Sequence, residues 1–295
     1  MTPEELAIVR SAFAKQICAT AGVEANKDIE RAFSRVRRED YLGSDPWKVV
    51  DLAHCPIQLA ENDPVYAYQD ALFVLSSGRG VNNGSPSLHA RLLGALAPKA
   101  GETIVHLGAG TGYYTALLAE LVGPDGHVVA VELDDTLAQI ARPALESRAN
   151  VTFHVDDAAA WPKGEVDGIY VNFAVLAPLE NWIEGLAPDG RLVVPLGVPG
   201  KPNRPAGPRF SRHGAAFLIK RCTAGFSASR ICQAFFIHAE GDAGSMKPQE
   251  EERLQDAFRR PGIEFVQSLI WQRPSDPTRC WFSCANWALS YDPVD

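Results

Sequence analysis

The sequence has no uninterrupted apolar run that approaches the roughly 20 residues a membrane-spanning helix needs, so no such helix is predicted. The opening stretch MTPEELAIVR is acidic and amphipathic, whereas a signal peptide would be basic and then apolar, so no signal peptide is predicted either. Positive charge is also scarce. The formal net charge is −8, which argues against broad electrostatic binding to nucleic acid or to an anionic membrane.

Paired cysteines are missing as well. The six cysteines are dispersed and none belongs to a CxxC motif. The stretch CWFSC, from Cys280 to Cys284, has a spacing that could form half of a metal site on a helix. Its aromatic residues and the lack of a second pair instead favour a strand with buried, reduced thiols. We therefore predict no metal site and a cytoplasmic location.

The N-terminal part is predicted to hold two helices and then a long loop. Leu6, Val9, Phe13 and Ile17 follow helical spacing up to Gly22, and a second apolar stripe follows Asn26. Residues 43–86 are rich in Pro, Gly, Asn and Ser, which indicates a long, functional loop, and a helix follows to about residue 96. We assign 1–96 to these helices and the active-site loop region.

Strand and helix patterns alternate after residue 97. Apolar runs such as ETIVHL, HVVAVEL, VTFHV and VDGIYVNF are separated by helical segments, one of them interrupted at Pro143. This alternation predicts an α/β fold with a parallel sheet covered on both faces, over residues 97–240. Two further runs up to residue 239 are predicted as antiparallel edge strands. Residues 241–295 form an extension, in which two strands flank the turn signal RPSDPT and pack on the main domain.

A glycine loop stands between the first of these strands and the next helix, in VHLGAGTGYYTALLAEL. A nucleotide-binding P-loop would need Gly-Lys-Ser/Thr, but Tyr113 follows Gly112. Gly108, Gly110 and Gly112 form GxGxG, which is not the GxGxxG motif of dinucleotide-binding folds. S-adenosylmethionine carries no phosphate, so a sharp loop whose backbone can lie against the ligand is sufficient for it.

Carboxylates follow the next two strands. Glu132 ends HVVAVE and can accept both ribose hydroxyls of an adenosine, although a solvated strand end is the alternative. Asp156 and Asp157 follow the strand after that, where one of them could meet the adenine amino group and either could be a helix N-cap. With the glycine loop, this pattern favours S-adenosyl-L-methionine as cofactor.

The chain resembles the protein-L-isoaspartate O-methyltransferase family of class I methyltransferases, over roughly residues 9–241. The resemblance extends beyond the glycine loop to RVRREDYL, to YAYQDALFVLSSGRGVNNGSP and to GIYVNFAVLAPLENWIEGLAPDGRLVVPLG. It implies a doubly wound, mostly parallel Rossmann-like sheet with N-terminal helices, to which this chain adds a C-terminal α+β extension. It also implies that the chain is an enzyme that forms a methyl ester on a carboxylate of a protein or peptide.

The resemblance assigns site residues and shows three departures. Gly84 stands at the position of the family's active-site serine in an ungapped alignment, and Ser85 is the alternative catalytic residue after a one-residue shift. His106 replaces an acidic residue ahead of the loop, and Trp47–Pro64 and the tail after Gly241 are additional segments. We therefore predict poor or no activity on generic isoaspartyl peptides, and a Gly84→Ser change is predicted to raise any residual activity if the loop otherwise keeps the family geometry. The expected cofactor-binding residues are His106, Gly108, Ala109, Gly110, Gly112, Tyr113, Glu132, Leu133, Asp156 and Asp157, and the expected acceptor-binding residues are Arg79, Asn83 and His89.

A carboxylate acceptor needs no general base, since its ordinary pKa of about 4 leaves it ionised at neutral pH. A hydroxyl or ammonium acceptor would need one, and His89 is a candidate, although a packing role suits it better. Arg79 could pair with an acceptor carboxylate or could be a solvated loop residue. Two other functions stay open: methylation of a small molecule or a specific modified peptide, and a catalytically silent cofactor-binding protein.

Overall fold

The protein is described from a computed structural model that covers residues 1–50, 56–76, 80–200, 210–241 and 248–294. These residues fall into two compact units. Unit 1 comprises Met1–Thr103 and Ala109–Asp156, and unit 2 comprises Ile104–Gly108 and Asp157–Asp295. No helix among the described residues combines the length and the apolar character needed to cross a membrane.

The helices and strands are numbered in chain order. The helices are α1 (Pro3–Ala21), α2 (Lys27–Arg35), α3 (Pro86–Leu96), α4 (Tyr113–Val122), α5 (Asp135–Leu145), α6 (Glu180–Glu184) and α7 (Pro248–Phe258). The strands are β1 (Lys48–Val50), β2 (Pro56–Gln58), β3 (Leu72–Ser76), β4 (Val81–Asn82), β5 (Thr103–Leu107), β6 (His127–Glu132), β7 (Val151–Val155), β8 (Val166–Val171), β9 (Leu186–Pro199), β10 (Ser211–Cys222), β11 (Gly225–Gln233), β12 (Ser268–Trp271), β13 (Cys280–Ser283) and β14 (Trp287–Ser290).

The two N-terminal helices of unit 1 are confirmed. Thr2 and Glu5 form a capping box at the start of α1, and Gly22 ends the helix in the left-handed conformation. Asn26 caps α2 through the backbone N–H of Ile29. The apolar stripes face each other, and the rings of Phe13 and Phe33 meet edge-on at 6.3 Å between centroids.

The segment predicted as a long loop contains strands, which corrects that prediction. β1 to β4 form an antiparallel sheet in the order β2-β1-β3-β4, between α2 and α3. These strands have only two to five residues each, so no long alternating pattern marks them in the sequence. The helix predicted after residue 86 is confirmed as α3, with Pro86 in its first turn.

The rest of unit 1 contains α4, α5 and the parallel pair β6 and β7. Gly123 ends α4 as predicted. The interruption predicted at Pro143 is wrong, because α5 continues through that residue to Leu145.

Unit 2 contains a sheet in the order β13-β14-β12-β11-β10-β9-β8-β5, with all but the first residue of β5 inside the unit. β5, β8 and β9 are parallel, and β10 and β11 are antiparallel, as predicted. The core of this unit is built on fully buried large side chains such as Tyr170, Trp182 and Phe217.

The tail of unit 2 differs from the predicted two-stranded hairpin. β12 and β13, which flank the turn signal RPSDPT, do not pair with each other, because β14 lies between them and pairs with both. β12 also pairs with β11, so this three-stranded tail continues the sheet of unit 2. The tail therefore packs on its unit as expected, but with a different strand order. Cys280 lies on a strand, as CWFSC predicted.

Candidate cofactor and acceptor site

The glycine loop enters unit 1 at Ala109, where it is tied to the end of β6. The backbone N–H of Ala109 donates to the carbonyl of Val131 at 3.0 Å. The backbone N–H of Gly110 donates to Glu132 Oε2 at 2.7 Å, and the N–H of Asp134 donates to Oε1 of the same carboxylate at 2.9 Å. One oxygen of Glu132 thus holds the glycine loop, and the other holds the backbone that follows β6.

The carboxyl group of Glu132 is buried, with 8% of the residue exposed. Burial raises its pKa, and the hydrogen bonds from Asp134 and Gly110 oppose that rise because they stabilise the charged form. The carboxylate oxygens accept the backbone N–H groups of Gly110 and Asp134, and a backbone hydrogen bond from Leu133 also stabilises the charged form. Its position beside Gly110 makes this carboxylate a candidate to accept ribose hydroxyls as well.

The three loop glycines all have positive φ, of +76° at Gly108, +57° at Gly110 and +94° at Gly112. In unit 1, a Cβ on Gly112 would lie 2.8 Å from Leu145 Cδ1, whereas a Cβ on Gly110 would meet nothing within 4 Å. In unit 2, a Cβ on Gly108 would lie 2.6 Å from Phe173 Cδ1. Gly108 and Gly112 are therefore required by packing, and Gly110 leaves room for a ligand to approach the backbone.

The carboxylates that follow β7 are placed differently. The backbone N–H of Asp156, the last residue of unit 1, donates to the carbonyl of Glu132 at 3.1 Å. Asp157 belongs to unit 2, where its side chain caps the short helix Ala158–Ala160 through the N–H of Ala159 at 2.8 Å. The N-cap alternative is therefore observed at Asp157, and Asp156 remains the stronger candidate for the adenine amino group.

Three further cofactor candidates differ in burial. His106 and Tyr113 are buried in the cores of their units, whereas Leu133 is exposed. In unit 2, His106 on β5 is fully buried beside the ring of Tyr170, and burial lowers its pKa to about 3. In unit 1, Tyr113 packs edge-on against Phe33 at 6.2 Å, and burial raises the pKa of its hydroxyl well above the ordinary value. Tyr113 thus packs in the core of unit 1, and its expected ligand contact stays a prediction. Leu133 is 44% exposed directly after Glu132.

Ser85 begins α3 as its N-cap. Its hydroxyl donates to Asp70 Oδ1 at 2.9 Å and accepts the N–H of Leu88 at 3.4 Å. Asp70 also accepts the N–H of Ser87 at 3.1 Å and its hydroxyl. The hydroxyl of Ser85 is thus engaged in holding the start of the helix, and its expected catalytic role stays a prediction.

Gly84 lies directly before this cap, in the left-handed conformation with φ +72°. A Cβ at this position would lie 2.2 Å from Nε2 of His89, which is fully buried on α3. The imidazole stacks on Tyr114 at 3.7 Å between ring centroids, and the Tyr114 hydroxyl donates to the carbonyl of Gly84 at 3.3 Å. His89 therefore occupies the space that a side chain at position 84 would need, and the expected gain in activity from Gly84→Ser stays a prediction.

The two remaining acceptor candidates differ in what the structure describes. Asn83 is 7% exposed, and its Oδ1 accepts the backbone N–H of Phe73 at 2.8 Å, so the amide joins the loop to β3. Arg79 lies outside the described residues.

Sequence reasoning did not single out Arg38, which organises the same part of unit 1. Its guanidinium is fully buried and donates to the carbonyls of Ala67, Gln69 and Ala71 at 2.7–2.8 Å. These carbonyls surround Asp70, so Arg38 holds the segment that carries this carboxylate. The motif RVRREDYL contains Arg38 and was the available signal, but neighbouring arginines in it gave no means of choosing the buried one.

Comparison with known proteins identifies the family. A family model described as protein-L-isoaspartate(D-aspartate) O-methyltransferase matches residues 15–221. The chain belongs to this family. It is 39% identical over 138 residues to protein-L-isoaspartate O-methyltransferase of Aeropyrum pernix, covering 45% of the chain and 52% of that protein. It is 28% identical to the Thermotoga maritima protein of that name over 249 residues, covering 82% of the chain and 70% of that protein.

Two solved structures show the same fold. One, of a protein-L-isoaspartate O-methyltransferase, has a TM-score of 0.63 at 22% identity and covers 88% of the chain and 72% of the other chain. The second is described as a putative protein-L-isoaspartate O-methyltransferase from Plasmodium falciparum, in complex with S-adenosyl-L-homocysteine. It has a TM-score of 0.59 at 16% identity, and the match covers 78% of this chain and 98% of the other chain. The predicted α/β, Rossmann-like methyltransferase fold is confirmed. The chain spans 52% and 59% of the length of its Aeropyrum pernix and Methanopyrus kandleri relatives.

Proposed function

We propose that this protein of the isoaspartate O-methyltransferase family is an S-adenosyl-L-methionine-dependent enzyme that methylates a carboxylate of a protein or peptide. The observation that carries the proposal is the hydrogen bond from Gly110 N–H to Glu132 Oε2 at 2.7 Å. It holds Gly110, where an added Cβ would meet nothing within 4 Å, beside a buried carboxylate. Membership of the family supports the acceptor class.

The residues of unit 1 fit the cofactor. Glu132 would accept the ribose hydroxyls, Leu133 would offer apolar surface beside the adenine, and Asp156 would accept its amino group. The space at Gly110 would let the backbone approach the methionine portion. When bound, S-adenosyl-L-methionine supplies a methyl group already activated by its sulfonium.

The chain's own part in the reaction is then alignment, which can contribute roughly 7–11 kcal/mol to lowering the barrier. No residue needs to remove a proton, because a carboxylate acceptor is ionised at neutral pH. His89 agrees with this, since it is fully buried and stacked on Tyr114 and so is engaged in packing. The loop that ends at Ser85 is held by Asp70, Asn83 and Tyr114, which gives the acceptor side a fixed backbone.

The decisive experiment measures transfer from labelled S-adenosyl-L-methionine to an isoaspartyl peptide and to its normal aspartyl counterpart. Base-labile label on either peptide, or on a protein carboxylate, supports the proposal. Binding of S-adenosyl-L-homocysteine without transfer to any carboxylate would favour the catalytically silent alternative. Base-stable label on a small molecule would favour the small-molecule alternative. We also propose a cytoplasmic location, in keeping with the dispersed cysteines of the sequence, none of which forms a CxxC motif.

A further inference from the structure

The loop that ends at Ser85 contains the dipeptide Asn83-Gly84, and Asn83 is the only asparagine of the chain that a glycine follows. The Cγ atom of an asparagine can be attacked by the backbone nitrogen of the next residue. A glycine at that next position offers the least hindrance, because it has no Cβ. Asparagine is accordingly a thermolabile residue, and this dipeptide is its most reactive setting in the chain.

The fold engages both of the groups that would react. The backbone N–H of Gly84 donates to Asn82 Oδ1 at 2.9 Å. Asn83 is tied to Phe73 on β3 twice, since its Oδ1 accepts the N–H of Phe73 at 2.8 Å and its own N–H donates to the Phe73 carbonyl at 3.1 Å. Attack therefore requires the Gly84 nitrogen to leave Asn82 and the carboxamide to turn away from Phe73.

The hold on the Asn83 carboxamide depends on a single oxygen. Its Nδ2 atom is buried and donates to no group in the part of the chain that the structure describes. This nitrogen is the one that deamidation would release. Opening of the hydrogen bond between Oδ1 and Phe73 would thus free the whole carboxamide, whereas the Gly84 nitrogen is restrained separately by Asn82.

We propose that Asn83-Gly84 is a deamidation site that the fold keeps unreactive through Asn82 and Phe73. In the reaction, the Gly84 nitrogen bonds to Asn83 Cγ, and Nδ2 leaves as ammonia with the proton that the Gly84 nitrogen gives up. Water then opens the resulting succinimide at one of its two carbonyls, which leaves aspartate or isoaspartate at position 83. This modification needs no methyl donor and does not rest on the proposed function.

The product would disturb the start of α3. Isoaspartate adds one carbon to the main chain between position 83 and Gly84, whose carbonyl accepts the Tyr114 hydroxyl at 3.3 Å. Ser85, the N-cap of α3, comes directly afterwards. A carboxylate would also replace an amide that is only 7% exposed, and burial of an unpaired charge is unfavourable. Deamidation would therefore release the loop from β3 and from Tyr114.

The first test ages the unaltered chain at neutral pH without methyl donor, once folded and once unfolded in guanidinium chloride. Mass spectrometry of the tryptic peptide Gly80–Arg91 locates the conversion, and fragmentation separates isoaspartate from aspartate. We expect the unfolded chain to react at Asn83 about 25-fold faster, because two hydrogen bonds worth about fivefold each are lost. Equal rates would overturn the protection, and no reaction in the unfolded chain would overturn the site.

The second test assigns the protection to Asn82, with the Tm measured first. Folded Asn82→Ala should react at Asn83 about fivefold faster than the parent, whereas Asn82→Asp keeps the Oδ1 acceptor and should stay within about twofold of it. Asn181→Ala is the matched control, because it also loses one side-chain hydrogen bond to backbone, at 2.8 Å to the Ala159 carbonyl, and should react at the parental rate.

A folded Asn82→Ala variant that reacts at the parental rate would overturn the role of Asn82. An Asn82→Asp variant that reacts as fast as Asn82→Ala would do the same, because the acceptor oxygen would then not be what protects the site. The comparison of the folded and unfolded parent decides on the site itself whether or not Asn82→Ala folds.

Discussion

Glu132 is proposed to perform two tasks. It accepts backbone N–H groups from Gly110 and Asp134, so it shapes the loop, and the proposed function assigns it the ribose hydroxyls as well. Its buried position makes both tasks stronger, because a hydrogen bond to a charged group is worth more where water competes less.

Glu132→Ala should therefore weaken binding of S-adenosyl-L-homocysteine by about 100-fold or more, since two charge-assisted hydrogen bonds of about 1.5–3 kcal/mol each are lost. Glu132→Gln keeps one acceptor oxygen, so its affinity for S-adenosyl-L-homocysteine should lie between those of Glu132→Ala and the parent protein. Isothermal calorimetry measures both, and Glu146→Gln, at an exposed position on unit 1, is the control. Unchanged affinity in a folded Glu132→Ala variant would contradict the ribose assignment.

His106 makes the stability of the chain depend on pH. Its pKa is lowered from 6.5 to about 3 by burial, so between these values the unfolded chain binds a proton that the folded chain does not. The free energy of unfolding should be undiminished above about pH 6.5 and should fall by about 1.4 kcal/mol per pH unit below it, towards pH 3. Denaturant unfolding across this range measures the slope.

The His106→Gln variant removes this titration, so its free energy of unfolding should depend less steeply on pH than that of the parent protein. His127→Gln, on β6, is the matched control and should retain the slope of the parent protein. Equal slopes in the His106→Gln variant and the parent would show that other groups account for the pH dependence.

Whether the role of a residue could be predicted depends on whether its partners lie nearby in the sequence or are brought together only by the fold. Glu132 followed from the glycine loop and a strand end, both of which are local patterns. Whether Asp156 or Asp157 forms the cap could not be decided, because both sit at the same turn. That His89 fills the volume beside Gly84 is visible only in three dimensions, since the spacing of five residues across a helix start does not by itself bring two side chains together.

At the scale of elements, short strands were the hardest to predict. The helices α1, α2, α3 and α4 were marked by capping residues and apolar periodicity, which are properties of consecutive residues. β1 to β4 and the pairing of β12 with β14 depend on partners far along the chain. The eight residues between β12 and β13 are also too many for a tight hairpin turn, so the turn signal did not fix the pairing.

Arg38 begins the short helix Arg38–Tyr41 that follows α2, and it joins this helix to the segment before β3. Arg38→Met should lower the free energy of unfolding by about 3 kcal/mol or more, because the carbonyls of Ala67, Gln69 and Ala71 lose their buried donors. Arg35→Met, which removes only an exposed ion pair to Glu120 at 3.7 Å, should cost less than about 1 kcal/mol. Denaturant unfolding compares them, and similar losses in the two variants would contradict this role.

At the scale of the whole molecule, the chain continues well beyond the part that matches the family, which ends at residue 221. Within unit 2, β12 pairs with β11, and the fully buried Trp281 on β13 packs against Phe217 on β10 and Phe258 on α7. The residues after Gly241 thus cover the edge of β11 and the ring of Phe217, which would otherwise be exposed.

Removal of the residues after Gly241 should accordingly lower the Tm and cause association, measured by calorimetry and by light scattering. Trp281→Ala tests the same packing with one change and should cost about 3–5 kcal/mol. Phe265→Ala, at a side chain that is 65% exposed, should stay within about 0.5 kcal/mol of the parent. A truncated chain that is equally stable and monodisperse would show that the extension is dispensable for folding.

The strand order of the tail also has a consequence for local opening. β13 pairs with β14 alone among the described strands, and β14 follows it in the chain. β13 is therefore held in the sheet through β14, as its edge strand. Its backbone amides should be the first of the tail to exchange with deuterium.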